Sequence, residues 1–311
     1  MKKFLGKYAV ILACLVFANK ATAQSQTTNE MDSLDTPTIE SPDRSLTGFE
    51  ATDEAQPLWE LGVGGGLVDV PNYPASSERN QVGLALPYVI YRGDVFRFGG
   101  GGGARAVVVE ERDLEIDISF GGAFSADSED NSAREGMPEL DFLFEVGPQL
   151  VYRVKDYSFD NGGVGRLNFR LQARAVFSTD FGSLEEQGFV LQPVLAYQQR
   201  GVLFNNAGFS ASISPVFASE ALHDFFYQVD EAFVTQQRNA FDAEGGYLGT
   251  ELGVNFSFRL RDNMRLFLGF SGRLHSGAAN EDSPLFEKDV TYSAALGFVW
   301  RLYESKTKAS W

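Results

Sequence analysis

The stretch from Arg166 to Phe177 reads RLNFRLQARAVF and alternates polar with apolar residues as far as Ala175. In a β-strand, one face of this stretch is apolar and carries Leu167, Phe169, Leu171, Ala173, Ala175 and Phe177. The opposite face is polar and cationic and carries Arg166, Asn168, Arg170, Gln172 and Arg174. A helix would spread the same apolar residues around its circumference instead of gathering them in a stripe. We therefore predict a strand with one apolar and one cationic face.

The same alternation returns in four other segments, 139–154, 247–260, 263–275 and 288–303. Strands of soluble proteins most often have about five to six residues, and these segments are much longer. A strand that crosses a bilayer at a tilt needs about nine to eleven residues. The length and the alternation together predict an all-β protein, a transmembrane antiparallel up-and-down β-barrel.

A soluble β-sandwich is the alternative, because it also buries one face of each strand. The barrel accounts better for ionic side chains on one face of nearly every strand, since its polar face lines the lumen and its apolar face contacts outer-membrane lipid. The predicted lumen-lining charges are Glu139, Asp141, Glu145, Arg153, Arg166, Arg170, Arg174, Glu251, Arg259, Arg265 and Arg273.

Tyrosine and tryptophan residues cluster near the ends of the predicted strands, as they do in the aromatic girdles of membrane barrels. The predicted interfacial aromatics are Trp59, Tyr88, Tyr91, Tyr152, Tyr197, Tyr247, Trp300 and Tyr303. Stacking of a sugar on one or two of these rings is the alternative use, and the girdle is the favoured interpretation.

The alternating segments number twelve along the chain: 58–68, 80–92, 94–110, 113–126, 139–154, 165–178, 187–200, 203–217, 223–230, 246–260, 263–276 and 288–303. The pattern is weakest in 223–230, and 127–138 is long for a periplasmic turn, so ten strands is the alternative count. An even number puts both chain ends on the periplasmic side. The connections 69–79, 155–164, 231–245 and 277–287 are then predicted to face outward, and 92–94 and 261–263 to be periplasmic.

The chain begins with lysines, an apolar run from Tyr8 to Phe17 and the small residues Ala21-Thr22-Ala23. This order is typical of a signal peptide over residues 1–23 and predicts export to the outer membrane. Cleavage as a lipoprotein at Cys14 is the alternative, although it leaves a short apolar run. Residues 24–56 are polar and acidic and are predicted to form a flexible periplasmic arm before a barrel over residues 57–311.

The formal net charge of −16 argues against nucleic acid as a partner, and removal of the four leader lysines makes the mature chain more acidic still. The single cysteine, Cys14, lies in the leader, so the mature chain has no thiol for disulfides or thiolate metal sites. No cofactor motif is present. The run Gly99–Gly103 precedes neither a lysine nor a helix and is predicted to relieve crowding in the barrel wall.

Catalysis is not expected from the titratable residues. Only His223 and His275 could serve as imidazole bases or metal ligands, and His275, near a strand end, is predicted to be a polar residue near the outer rim. His275 and Ser276 are adjacent, and adjacent residues of a strand point to opposite faces, whereas a nucleophile and its base must be within hydrogen-bond reach. The acidic pairs Glu110-Glu111, Glu185-Glu186 and Glu281-Asp282 are interpreted as solvated loop charges. We therefore predict that the protein is not an enzyme.

Five short motifs follow one another at intervals between residues 58 and 303: Pro71-Asn72-Tyr73-Pro74, Leu86-Pro87-Tyr88, Glu135-Gly136-Met137 with Glu145-Val146-Gly147-Pro148, Asp242–Tyr247, and Ser283-Pro284-Leu285. In their order and spacing they resemble the MipA/OmpV family of outer-membrane proteins. The resemblance implies an outer-membrane barrel. It also implies a scaffold role, because the namesake of the family is regarded as tying a lytic transglycosylase to a peptidoglycan synthase.

Two functions follow as hypotheses. In the first, the barrel is an interaction platform whose arm and periplasmic turns contact cell-wall enzymes. In the second, it is a narrow porin-like channel for small solutes, as other members of the family are treated. Placing the turn between the fifth and sixth predicted strands near Phe159 also predicts that Glu145 lies opposite Arg174, Gln149 opposite Arg170 and Arg153 opposite Arg166.

Overall fold

The computed structural model describes residue 46 and residues 55–98, 104–123, 131–160, 162–202 and 204–309. The predicted signal peptide, nearly all of the predicted arm and the glycine run 99–103 lie outside the described residues. Within the described ranges, no helix is long and apolar enough to cross a membrane.

Twelve antiparallel strands close into one barrel, in which each strand pairs with its neighbours in sequence and β1 pairs with β12. The predicted class and the count of twelve are thus confirmed for the part of the chain that the structure describes. The strands are β1 (Trp59–Pro71), β2 (Arg79–Arg92), β3 (Phe96–Phe98), β4 (Ala104–Glu110), β5 (Leu114–Ala123), β6 (Phe142–Ser158), β7 (Val164–Thr179), β8 (Glu185–Arg200), β9 (Ala207–Ala218), β10 (Gly246–Arg261), β11 (Met264–Leu274) and β12 (Val290–Glu304). Within the described residues, one α-helix, α1 (Glu220–Tyr227), and two short 3-10 helices, Ser132–Arg134 and Glu231–Phe233, lie in the connections.

Two of the predicted strands are wrong, and their errors cancel in the count. The predicted strand 94–110 is a hairpin of β3 and β4, in which Arg97 pairs with Arg105. The predicted strand 223–230 is instead mostly α1. Its buried residues Leu222, His223, Phe226 and Tyr227 form pairs four residues apart, which is helical spacing.

The extra hairpin reverses the direction of β5 to β9 relative to the prediction. We call the end of the barrel at which β1 begins and β12 ends the terminal end, and the opposite end the loop end. The connection after β6, residues 159–163, therefore lies at the terminal end, although 155–164 was predicted to face outward. Residues 131–141 lie at the loop end, together with 72–78, 219–245 and 275–289.

The wall of the barrel is apolar outside and polar inside. On β7 the outward residue Leu171 is exposed, whereas the inward residues Arg166, Asn168 and Arg174 are buried. On β12 the outward residues Leu296, Phe298 and Trp300 are exposed. Water does not tolerate such a continuous apolar surface, whereas lipid does, so the exterior is that of a transmembrane barrel.

Two glycines allow β1 and β12 to close the barrel. A Cβ atom on Gly62 would lie 2.1 Å from the carbonyl oxygen of Trp300, and one on Gly66 would lie 2.4 Å from that of Leu296. Any larger residue would push the two strands apart at this seam.

The register between β6 and β7 differs from the predicted one. Gln149 lies opposite Gln172, and Arg153 lies opposite Asn168. Beyond Arg153 the register shifts by one residue at a bulge, so that Asp156 lies opposite Arg166. The turn is centred farther along the chain than Phe159, and up to Arg153 the pairing is displaced by two residues, so those side chains keep their predicted faces. The bulge then brings Asp156 onto the inward face opposite Arg166. The like charges Arg153 and Arg166 consequently do not oppose each other.

At the terminal end the segments before β1 and after β12 pack on each other. Pro57 forms a β-bridge with Lys308, and the Ala309 amide donates to the Gln56 carbonyl over 2.7 Å. Leu46 is buried, and its amide donates to the side chain of Gln198 on β8 over 3.4 Å. Leu46 and Gln56, both assigned to the arm by the sequence, thus contact the barrel.

Candidate functional site: the lumen and its cap

The connections at the loop end fold over the mouth of the barrel. We call the segments 72–78, 131–141, 219–245 and 275–289 the cap. Apolar side chains of the cap pack with those of the adjacent strand ends into one core, which contains Tyr73, Leu140, Leu143, Val176, Val190, Val216, Ala218, Leu222, Phe226, Tyr227, Val229, Ala243, Leu248 and Leu285. The cap is thus a packed structure and not a set of independent loops.

Tyr227 stands at the centre of this core and is completely buried. Its hydroxyl donates to the carbonyl of Pro74 over 3.0 Å, and its own carbonyl accepts a hydrogen bond from the Ser283 hydroxyl over 2.9 Å. Its ring packs edge-on against Tyr73, whose hydroxyl donates to the Leu285 carbonyl over 2.9 Å. Three segments of the cap therefore meet at one side chain.

Two buried arginines bind backbone carbonyls in the cap. Arg238 donates to the carbonyls of Phe233, Ala133 and Glu135 over 2.8–3.1 Å. Arg134 donates to the carbonyl of Phe226 over 3.2 Å, and burial lowers its pKa to about 10. These bonds satisfy loop carbonyls that would otherwise be buried without a partner.

Both histidines of the chain lie buried in the cap as neutral rings. The Nε2 atom of His275 accepts from the Ala75 amide over 3.1 Å and lies 2.9 Å from the Thr291 hydroxyl, and Nδ1 lies 3.3 Å from the Leu248 carbonyl. Nε2 therefore carries no proton, and Nδ1 donates. Burial, assisted by Arg273, lowers the pKa of His275 to about 4.

His223 has the opposite tautomer. Its Nδ1 atom accepts from the Asn280 side-chain amide over 2.6 Å, and its Nε2 atom lies 3.3 Å from the Gly246 carbonyl, to which it donates. Burial lowers its pKa from the ordinary value. The prediction of a polar residue near the outer rim gave neither the burial nor the packing role of His275, and the sequence interpretation assigned no position to His223.

A cavity of about 330 Å³ lies beneath the cap. Its roof includes Tyr73, Leu222 and Phe226 of the cap, and its walls include Glu145, Gln192, Glu251, Arg273 and Ser293 of the strands. Glu251 and Arg273 lie opposite each other and form an ion pair of 2.7 Å. The cavity thus joins an apolar roof to polar and charged walls.

Deeper in the lumen, a continuous network of side chains crosses four strands. We call it the polar belt, and its members are Asp117, Glu145, Gln149, Gln172, Arg174 and Gln192. Gln149 donates to Asp117 over 3.0 Å and accepts from Gln172. Arg174 donates to Gln172 and Gln192 over 2.6 and 2.9 Å and forms an ion pair of 3.3 Å with Glu145.

The predicted contact between Glu145 and Arg174 is therefore present, but the two residues are diagonal neighbours, because Glu145 lies opposite Val176. Gly121 on β5 makes room for the ion pair, since a Cβ atom there would lie 2.5 Å from Arg174 Nη1 and 3.1 Å from Glu145 Oε2.

Toward the terminal end, two fully buried carboxylates are held by arginines. Glu60 forms ion pairs of 2.5 Å with Arg92 and 3.6 Å with Arg301. Glu115 forms ion pairs of 3.1 Å with Arg97 and 3.3 Å with Arg105. Buried charges of this kind are tolerated only in pairs, so these side chains fix the positions of the strands that carry them.

The other predicted lumen-lining charges are distributed as follows. Arg265 is buried and donates to Ser257 over 3.2 Å, and Arg259 lies opposite it on β10. Arg166 binds Asp156 over 2.8 Å near the terminal end, with Arg153 beside it. Arg170 is half-buried on the inward face of β7.

Glu139 and Asp141 do not lie on a strand, because β6 begins at Phe142. Glu139 is exposed in the cap, which corrects its assignment to the lumen. Asp141 is half-buried at the rim, where burial and the charges of Asp180 and Glu185 raise its pKa.

Most of the predicted interfacial aromatics project from the outer wall. At the terminal end, Trp59, Tyr91, Tyr152, Trp300 and Tyr303 are exposed, and the half-buried Tyr197 packs edge-on against Tyr157. At the loop end, Tyr247 packs against Phe217, with ring centroids 5.7 Å apart.

Tyr88 is the exception among the predicted aromatics. Its hydroxyl donates to Glu60 inside the barrel over 3.2 Å. Tyr88 and Tyr91 are three residues apart on β2 and therefore face opposite sides of the wall, so they could not both belong to an outer girdle. The assignment of Tyr88 to the girdle was wrong for this reason.

The sequence interpretation missed the cap core and the buried carboxylates. Glu115 and Asp117 alternate with Leu114, Ile116 and Ile118, so the period-two pattern would have placed both of them in the lumen. No comparable signal marks Tyr73 or Tyr227, because the packing of loops follows no period. Within the described residues, no group of three or more histidine, cysteine or acidic side chains is arranged to hold a metal ion.

The sequence of residues 62–302 matches the family model described as MltA-interacting protein MipA. The chain belongs to the MipA family. Four of the motifs that resembled the family, those at Pro71–Pro74, Glu135–Met137, Asp242–Tyr247 and Ser283–Leu285, meet in the cap or at its junction with the strands.

Similar solved structures of low sequence identity accompany the MipA match. The NanC porin is 10% identical with a TM-score of 0.37, and 78% of this chain covers all of that one. OprB of Pseudomonas putida is 8% identical with a TM-score of 0.35, and a bacterial polysaccharide outer membrane secretin is 9% identical with a TM-score of 0.34. The alignment covers 81% of this chain with OprB and 80% with the secretin, and in both cases it covers all of the other chain. No protein with a curated description matches the chain.

Proposed function

We propose that this MipA protein is a non-enzymatic interaction platform in the outer membrane, one that holds a cell-wall enzyme at the terminal end of its barrel. The observation that carries the proposal is the filling of the lumen. The cap covers one end, and below it the polar belt and the pairs around Glu60 and Glu115 occupy the interior. A barrel filled in this way is better suited to a fixed support than to free diffusion of solutes.

The partner class follows from the family description, which names an interaction with MltA. A lytic transglycosylase acts on peptidoglycan, so it would meet the barrel from the periplasm, as would a peptidoglycan synthase. The surfaces available there are the arm and the short terminal-end turns, such as 201–206 and 262–263. The apolar exterior is proposed to contact outer-membrane lipid.

Co-purification tests the platform. Because Leu46 and Gln56 contact the barrel, the deletion should remove residues 24–45 and retain these two. We expect the barrel to stay folded and its capture of a purified lytic transglycosylase to fall at least tenfold. A variant with residues 24–45 in scrambled order is the matched control, since it keeps the acidic composition.

If the deletion variant still captures the enzyme in full, the contact is assigned to the terminal-end turns. Charge reversal at Asp262 would then test that assignment. If neither the deletion nor the turn variants bind less enzyme than the full chain, or if the full chain binds none, the platform is rejected.

A narrow porin-like channel for small solutes is the second candidate, and the cavity of about 330 Å³ under the cap favours it. Planar-bilayer recording separates the two functions. The platform predicts no stepwise conductance at neutral pH, whereas a constitutive channel predicts steps that persist in every preparation.

A further inference from the structure

The chain contains only two histidines, and both are buried between separate segments of the cap. His275 joins the segment 72–78 to β10 and β12 through Ala75, Leu248 and Thr291. His223 joins α1 to Asn280 of another connection and to the first residue of β10. The interactions between cap segments thus pass through both imidazole rings.

Each ring accepts a hydrogen bond that only the neutral form can accept. At His275 the Ala75 amide points at Nε2, and at His223 the Asn280 amide points at Nδ1. A proton added to either nitrogen would place two N–H donors face to face and remove the acceptor. Protonation would therefore break the contact that joins the segments.

The backbone conformation of Ala75 depends on its hydrogen bonds to His275, Glu287 and Lys288. Ala75 is fully buried and has a φ of 64°, a left-handed conformation that costs a residue with a Cβ atom about 1 kcal/mol or more. Its amide is held by His275, and its carbonyl accepts from the amides of Glu287 and Lys288 over 3.1 and 3.0 Å. Loss of the bond from the amide leaves one side of this conformation without support.

We propose that His275 and His223 are acid-labile latches of the cap, and that their protonation releases the segment 72–78 and opens the cavity beneath it. The inference concerns the cap and stands whether the barrel is a platform or a channel. The ligand of this switch is the proton itself.

The direction of the pH effect follows from the pKa values. The pKa of His275 falls from the ordinary 6.5 to about 4 in the closed cap. In an opened cap His275 would bind the proton more tightly. The stability that neutral His275 gives the closed cap is therefore fully present above about pH 6.5 and is progressively lost as the pH falls toward 4. At pH 5 these two pKa values give roughly a 30-fold shift toward the open state from His275 alone.

Other titratable groups border the two rings. Around His275 these groups are Arg273 on β11 and Glu287 and Asp289 in the following connection. Around His223 they are Glu220, Asp224 and Tyr227 on α1, with Asp230, Asp242 and Glu244 in the connections. Glu287 is the strongest alternative to the histidines as the acid sensor of segment 72–78, because its carboxylate accepts from the amide and hydroxyl of Ser77 over 2.9 and 2.8 Å.

Hydrogen exchange of the purified mature protein in lipid nanodiscs tests the proposal. The readout is the protection of peptide 72–78 at pH 7.5 and pH 5, corrected for the intrinsic effect of pH and compared with strand peptide 252–260. We expect protection of 72–78 to fall roughly 30-fold at pH 5, while the strand peptide changes less than about threefold. Unchanged protection of 72–78 would overturn the proposal.

Three substitutions identify the sensor. His275→Gln places an uncharged acceptor near Nε2, and His223→Asn does so near Nδ1, so the double variant should keep the cap closed at pH 5. Glu287→Gln, the matched control, should open in acid as the native protein does. A full acid response in the double variant, or its loss in Glu287→Gln, would refute the histidine latches.

A measurement on the native protein does not depend on how the variants fold. Selective labelling of histidine gives two side-chain NMR signals, because the chain has two histidines. We expect both rings to remain neutral until the protection of 72–78 is lost. A His275 signal that titrates near pH 6.5 while the cap stays protected would also overturn the proposal.

Discussion

The cap and the polar belt both fill the barrel, but different interactions hold them. The cap is an apolar core in which Arg134 and Arg238 bind backbone carbonyls, and its two imidazoles are uncharged. The belt is made of amides, a guanidinium and carboxylates that are linked across adjacent strands. The cap is therefore sensitive to loss of apolar volume and to acid, whereas the belt is sensitive to loss of a charge.

The largest effect is expected from Tyr227→Ala in the cap. Removal of a fully buried aromatic side chain costs about 3–5 kcal/mol, and this variant also removes the bond to Pro74. Protection of the cap peptides against hydrogen exchange should fall by about a hundredfold or more, since each 1.4 kcal/mol is tenfold. Strand peptides should keep their protection.

The matched control for Tyr227→Ala is Phe204→Ala, which removes an exposed aromatic ring at the terminal end. It should leave the protection of the cap unchanged. Equal loss of protection in the strands and the cap of Tyr227→Ala would mean that the two regions unfold together, and the comparison between them would fail.

Arg174→Ala should have the next largest effect, and it acts on the belt. The substitution removes the bonds to Gln172 and Gln192 and leaves Glu145 without its cation. Hydrogen bonds to charged groups contribute about 1.5–3 kcal/mol, so we expect a loss of about 2 kcal/mol and a wider lumen. Thermal unfolding in detergent measures the loss of stability, and conductance after removal of the cap measures the width of the lumen.

Arg166→Ala is the control for Arg174→Ala, because Arg166 binds Asp156, a carboxylate that is about half exposed at the terminal end. An exposed partner is worth less than about 1 kcal/mol. A larger loss for Arg166→Ala than for Arg174→Ala would contradict the central role assigned to the belt.

The sequence predicted the barrel more completely than its interior. Alternation over long segments determines which residues face the lumen, and on β7 it placed Arg166, Arg170 and Arg174 on the inward face without knowledge of any partner. Register depends on the centre of a turn and on a bulge after Arg153, and neither has a periodic signal. The pairing of Glu145 with Arg174 was found because long side chains reach diagonal neighbours even when the predicted register is wrong.

The same alternation could not predict the packing of the cap. Tyr73, Tyr227 and Leu285 are brought together by long-range packing of three connections, and neither Tyr73 nor Leu285 belongs to an alternating run. The residues 223–230 were read as a strand because Phe225, Tyr227 and Val229 are two apart, whereas burial follows the spacing of four between His223 and Tyr227. Tertiary packing decided between two periods that a short segment satisfies almost equally.

Gly121→Ala tests the belt without removal of any polar group. The new methyl group would meet Arg174 Nη1 at 2.5 Å and Glu145 Oε2 at 3.1 Å, so the ion pair must move. Because both atoms are at the ends of flexible side chains, we expect a cost of about 1 kcal/mol, smaller than that of Arg174→Ala. In the double variant with Arg174→Ala the methyl group should cost much less, and additive losses of stability would show that Gly121 acts elsewhere.

The smallest effect is expected from salt, and it distinguishes the neutral contacts of the cap from the partly exposed charge pairs of the lumen. In 1 M NaCl the screening length falls to about 3 Å, which weakens exposed pairs such as Glu251–Arg273, whose side chains are 37% and 27% exposed. Such a pair contributes about 0–1 kcal/mol, so the melting temperature should fall by only a few degrees. The cap contacts at Tyr227 and His275 join neutral groups, and screening leaves them unchanged. Hydrogen exchange of peptide 72–78 should therefore be the same in 0.05 M and 1 M NaCl at pH 7.5, although it rises in acid. If high salt exposes the cap as acid does, charge pairs and not the neutral imidazoles hold it closed.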